Sequence, residues 1–175
     1  MTSLTRLATA GLIVFSATAC VENTQSTKAV VEAMGSCEKV NALLKAHSNG
    51  FSNIRTSKST AASIDIWKAR YHLVGQSCQI WGWSGDRFVY VCNATAPTEA
   101  VARQWYEKAK AETRACLNNN WSLSEASRTI GNGNKAIFSQ PGSDLKVATH
   151  VIETRGLFKS EWAAYYFVGN SSEEL

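Results

Sequence analysis

Apolar positions change their spacing several times along this chain, and each change marks an element. Leu7 to Phe15 form an almost unbroken apolar run. Ser26–Met34 reads as a short helix stopped at Gly35. In SCEKVNALLKAH, Ser36 stands where an N-cap belongs, and Cys37, Val40, Leu44 and His47, flanked by Leu43, share one helical stripe that ends at Asn49-Gly50. Strand patterns follow in FSNIRTS and IDIWKARYHL. CQIWGWSGDRFVYVC then reads as a hairpin, with Ser84-Gly85-Asp86 as turn residues between β-branched and aromatic arms. Pro97, with Thr95 or Ala96 before it, opens a second helix. Val101, Trp105, Ala109 and Cys116 form its inward stripe, Glu99 and Arg103 pair outside, and Asn118-Asn119-Asn120 ends it. A strand at WSLSEAS, a loop through Gly131 to Asn134, a strand at KAIFSQ and a hairpin of LKVATHVIETR and KSEWAAYYFVG around Gly156 complete the chain.

The order is helix, strands, hairpin, then helix, strands, hairpin. The predicted class is α+β, an antiparallel sheet or sheets with two main helices packed on one face. The spacing of about 70 residues between Leu44–Phe51 and Leu117–Trp121 predicts a duplicated helix-plus-strands unit.

Residues 1–19 combine a polar start carrying Arg6, the apolar run and the small residues Ser16 to Ala19, which is the anatomy of a cleaved secretory signal. The run falls short of the roughly 20 apolar residues needed to cross a bilayer. Ala17-Thr18-Ala19 before Cys20 resembles a bacterial lipobox, although Ala17 stands where leucine is commonest. The resemblance implies that Cys20 is lipidated, with palmitate among its acyl chains, and becomes the new N-terminus. The same tripeptide meets the small-x-small rule for plain cleavage, so soluble secretion is the alternative. Val21, rather than Asp, follows the cysteine; by resemblance to Gram-negative lipoproteins this implies sorting to the outer membrane, facing the periplasm. Each buried methylene of the acyl chains contributes about 0.8 kcal/mol to anchoring. Residues 20–26 then form a polar tether and 27–175 a single α+β domain.

The chain has five cysteines, an odd number that lipidation of Cys20 reduces to four. Centring the hairpin on Gly85 sets Cys78 opposite Cys92, close enough to bridge. Cys37 begins the first helix and Cys116 ends the second, so antiparallel helices bring them together. Two disulfides, Cys37–Cys116 and Cys78–Cys92, suit an oxidising compartment.

The mature chain of about 155 residues is long enough for one real core. Of 18 basic and 14 acidic residues only Arg6 leaves with the signal, and the resulting net of +3, without a basic run, gives no sign of nucleic-acid binding. Gly82-Trp83-Ser84-Gly85 lacks the second glycine and the strand-to-helix turn of a serine elbow. His47, His72 and His150 are scattered without metal-ligand spacing, and Gly131 to Asn134 lacks the Lys and Ser/Thr of a phosphate loop. No cofactor, metal site or catalytic residue is expected.

On the hairpin, Cys78, Ile80 and Gly82 face one way and Gln79, Trp81 and Trp83 the other, with Trp83 opposite Arg87 as a cation–π pair. Both faces are apolar, yet helices need cover only one. Trp81, Trp83 and Arg87 are therefore a candidate binding patch, weighed against a second buried layer. The expected function is that of a non-enzymatic, membrane-anchored lipoprotein that binds a protein partner in the envelope. An immunity or inhibitor protein that neutralises a toxin or lytic enzyme is the alternative. An enzyme of envelope polymers would need a carboxylate pair that no spacing provides. Metabolic labelling with a fatty-acid analogue should tag the wild type and not Cys20→Ser; an unlabelled wild type in the soluble periplasm would refute the anchor.

Overall fold

The computed structural model describes residues 31–61, 64–84, 87–155 and 160–170. The signal, Cys20, the tether, Gly85-Asp86 and Gly156 lie outside the described residues. Of the short helix expected over 26–34, the described residues 31–33 are helical. Residues 34–175 form one compact unit.

In that unit α1 (Ser36–His47) leads through a 3-10 turn (Ser52–Ile54) to β1 (Arg55–Ala61), β2 (Ile64–Ala69), β3 (Ser77–Trp83) and β4 (Arg87–Ala96). Then α2 (Glu99–Cys116) leads to β5 (Ser122–Ser127), β6 (Gly133–Ser139), β7 (Lys146–Arg155) and β8 (Ser160–Gly169). All eight strands join one antiparallel sheet in the order β1-β2-β3-β4-β8-β7-β6-β5. Each half runs from edge to centre, and the last strands of the halves, β4 and β8, meet over eight consecutive pairs.

Register assigns the faces. Lys58, Trp67, Ile80, Tyr90, Val168, Val147, Phe138 and Leu123 form one row across all eight strands. Val40, Leu43 and Ala46 of α1 and Ala109 of α2 share a buried cluster with Ile80, Tyr90, Val168, Val147 and Phe138 of that row, and Trp67 packs half-buried against it. Ala102 and Tyr106 pack with Ala136 and Val151 further along the sheet. The Tyr166 hydroxyl, fully buried at the sheet centre, hydrogen-bonds the Thr113 hydroxyl of α2 at 2.9 Å.

Several expectations shift. The N-cap of α1 is Gly35, not Ser36: the Glu38 carboxylate turns back to accept from the Gly35 N–H at 2.9 Å, and Ser36 is already helical. Its buried stripe is Val40, Leu43 and Ala46, with Leu44 and His47 half-buried and Cys37 exposed. The cap of α2 is Thr98, whose hydroxyl accepts from Val101 N–H at 3.3 Å. Thr95 and Ala96 are held in β4 by pairing with Ala163 and Trp162, so Pro97 stands before the cap rather than opening the helix. The inward stripe of α2 is Ala102, Tyr106, Ala109 and Thr113, one position on from Val101 and Trp105. Small side chains let the helix approach the sheet, and the bulky Trp105 lies half-buried at the margin. FSNIRTS is a 3-10 turn before it becomes strand, and the second strand stops at Ala69. Phe51 holds φ 62 there, a left-handed strain of about 1–3 kcal/mol that complete burial of its ring offsets. Gly133 begins β6 rather than sitting in a loose connector; at φ 134 a Cβ would lie 1.9 Å from the Val151 carbonyl oxygen.

Both expected disulfides are present. Cys37–Cys116 joins the start of α1 to the end of α2 with Cα atoms 4.8 Å apart, and Cys78–Cys92 bridges paired positions of β3 and β4 at 4.1 Å. Loop-closure entropy assigns about 4.5 kcal/mol to the first and about 3 kcal/mol to the second. Urea unfolding of the Cys37→Ser/Cys116→Ser chain should therefore show the larger loss of stability, and a smaller loss than from Cys78→Ser/Cys92→Ser would contradict this.

Burial raises the Tyr90 and Tyr166 phenols well above the ordinary range; Tyr166 adds to the rise at Tyr90, and the Thr113 hydrogen bond opposes it at Tyr166. Because the folded values are raised, this stability is complete below about pH 10, where unfolded tyrosine begins to ionise, and is lost above it. The free energy of unfolding should fall from pH 10 towards 12, by up to about 1.4 kcal/mol per pH unit for each tyrosine, and the melting temperature with it. Tyr166→Phe should flatten the fall; an unchanged slope would contradict the assignment.

Candidate binding face

Alternation along each strand puts a second set of side chains on the opposite face of the sheet. Gln79, Val91, Phe167, Ala148, Ile137 and Ser124 form one row there, and Ile66, Trp81, Val89, Gly169, Lys146 and Ser139 the next. Val89, Val91, Ile137, Ala148 and Phe167 are buried in a cluster that includes no residue of α1 or α2. Trp81, Trp83 and Tyr165 pack half-buried around it.

The aromatic rings interlock. Trp81 and Trp83 meet edge-to-face at 6.2 Å, with the Trp81 indole N–H donating to Gln79 Oε1 at 2.7 Å. Tyr165 and Phe167 stack at 5.8 Å, and His150 meets Phe167 edge-on at 4.9 Å. His150 is fully buried and lies against Arg128, whose Nη1 is 2.6 Å from its Nδ1. The guanidinium only donates, so Nδ1 accepts and the ring proton sits on Nε2. Burial lowers Arg128 from its ordinary value, with Tyr165 opposing the shift.

The predicted patch is brought together in part. Trp83 pairs directly with Arg87, as the hairpin register requires, and Trp81 lies two residues along on the same face. The cation–π pair is a correction: among the described residues, the cations seated over rings are Arg55, Lys58, Arg103 and Lys110, and Arg87 is exposed beside Trp83 without stacking on it.

The hairpin alone does not show which charges share this face. Lys68 of β2, Arg87 of β4, Lys135 of β6 and Lys146 of β7 all fall on it, against Glu161 as the single carboxylate among the described strand positions. Lys68 and Arg87 are exposed and the others half-buried. Sequence reasoning missed this set because its members come from four strands whose order in the sheet no local pattern gives.

The other arginines serve the fold. Arg55 is sandwiched between Trp67 and Phe88 at 4.1 and 4.2 Å and donates to the Gly50 carbonyl. Gly82 makes room for that arrangement, since a Cβ there would lie 2.7 Å from the Phe88 ring and 2.9 Å from Trp67. Arg103 lines a polar pocket with Asn132, Asn134 and Trp162, but its charge is taken up by Glu99 at 2.7 Å and Asn134 at 2.8 Å. Comparison with known proteins finds no family model, no curated protein and no solved structure that matches this chain.

Proposed function

We propose that the protein is a non-enzymatic binding module, anchored in the bacterial envelope through lipid on Cys20, and that the face formed by Trp81, Trp83, Arg87 and their neighbours docks an acidic protein. In this reading both helices pack on one side of the sheet and the chain is a repeated unit of one helix and four strands. On the second face the exposed Lys68 and Arg87 and the half-buried Trp81 and Trp83 are what a partner would meet. The observation that carries the proposal is the coincidence on this face of four cations with half-buried tryptophans. Tryptophan and arginine are the residues that most often dominate binding energy at interfaces. A field of one sign selects a partner of the other and speeds its approach. The two disulfides support an oxidising compartment.

Affinity capture with the full-length lipoprotein from its native envelope, read by mass spectrometry, tests this. The wild type should capture an acidic protein, less of it as salt rises and the screening length contracts from about 10 Å at 0.1 M to about 3 Å at 1 M. Trp83→Ala should weaken capture about thirtyfold, the effect of losing 2 kcal/mol or more at a hot spot. Lys68→Glu/Arg87→Glu should weaken it comparably and leave the melting temperature near that of the wild type. Equal capture by all three chains would refute the proposal. So would a loss of about 3–5 kcal/mol of stability in Trp83→Ala, which would return that ring to the core.

A further inference from the structure

The two edges of the sheet are built differently. On β1 the register with β2 slips between Arg55 and Lys58, Lys58 is paired to Asp65 at 2.8 Å, and Arg55 is pinned between two rings. Irregular pairing and edge cations are the means by which proteins keep another strand from adding to an edge. The opposite edge, β5, has neither. It pairs with β6 over six consecutive residues without a slip, all six are exposed, and SLSEAS contains no proline, lysine or arginine. Its outer row of N–H and C=O groups faces no other strand among the described residues. Such a row is a template for strand addition.

The surroundings select the kind of strand. Six residues on a side is far fewer than the roughly 20–30 of a standard interface between folded proteins. An extended peptide of about 20 Å needs no more. A second copy centred on Glu125 would oppose that carboxylate to itself, and one centred on Ser124 would set it against Leu123. At the start of the strand Asn119, Asn120, Trp121, Ser122, Gln140 and Pro141 line a pocket, with Leu123 39% exposed next to it in the chain. In strand addition the main chain provides affinity and such pockets provide specificity. Glu125 is already balanced by Lys110 at 2.5 Å.

We infer that β5 takes an extended peptide segment of a partner protein as a ninth strand, with an apolar side chain opposite Leu123 and a neutral one opposite Glu125. This site is separate from the basic face and does not depend on it.

The probe is a fluorescent peptide of the sequence GNKAIFSQ, residues 133–140 of this chain, because β6 already sets Phe138 opposite Leu123 and Ala136 opposite Glu125. Added to the full-length protein, it should bind saturably at micromolar to low-millimolar concentration and slow amide exchange in β5 alone. Ser124→Lys, which puts a charge on the edge, should weaken binding at least about tenfold; Ala126→Lys provides the same test should Ser124→Lys melt early. Trp83→Ala should bind the peptide as the wild type does. Absence of saturable binding, or equal binding by the lysine variants, would overturn the inference. So would a concentration-dependent dimer that Ser124→Lys abolishes, since it would assign the edge to a second copy. Loss of the peptide in Trp83→Ala alone would place it on the basic face and overturn the inference equally.

Discussion

The pairing of β4 with β8 is the interaction on which the rest of the molecule depends. It joins Val89 to Gly169 and Ala96 to Trp162 through eight unbroken pairs, and it is the only strand contact between the two halves among the described residues. These partners are far apart in sequence, so the chain must close a long loop before any of the pairs forms, and the entropy of that closure is recovered late. The surroundings reinforce the seam. Cys92 and Tyr166 face each other across it, Cys92 is bonded to Cys78 on the next strand, and the Tyr166 hydroxyl is held by Thr113 of α2.

The seam also fixes what each face can do. With a side-chain period of two, a slip of one residue would move every ring on β4 from one face to the other. The Cys78–Cys92 bridge holds the β3–β4 register, and through it the division of Ile80 and Tyr90 from Trp81 and Val89. On the face that carries Tyr90, Phe138 and Tyr166 these three rings are completely buried, and Ala136 and Ala164 cluster there with Ala102 and Ala109 of α2. On the other side the tryptophans stop half-buried and the cations collect. The two faces thus differ in chemistry although neither is polar.

Local signals were legible and relational ones were not. The Ser84-Gly85-Asp86 turn and the flanking alternation gave the β3–β4 register, and from it Cys78–Cys92 and the Trp83–Arg87 pair, because a hairpin is specified by neighbours in sequence. Cys37–Cys116 followed from two helix ends. Val40 and Ala109 were placed rightly, but the rest of each stripe was misjudged by about one position, because apolar spacing shows a stripe and not its centre; Ala102 and Ala46 are buried where Val101 and His47 were expected. The caps were missed because Glu38 reaches backwards to Gly35 and because β4 holds Thr95 and Ala96 in the sheet. The Arg55 sandwich and the company of Lys68, Lys135 and Lys146 with Arg87 require the strand order, which depends on the seam and not on any segment alone.

Residue-resolved amide hydrogen exchange under native conditions tests the seam most directly. If the two halves are held as one cooperative unit by β4 and β8, the amides of those strands should exchange slowest, at a single free energy equal to that of global unfolding, with β1 and β5 opening first. Exchange of β4 and β8 as fast as the edges, or two separate free energies for residues 36–96 and 99–169, would show that the halves stand independently and contradict the account.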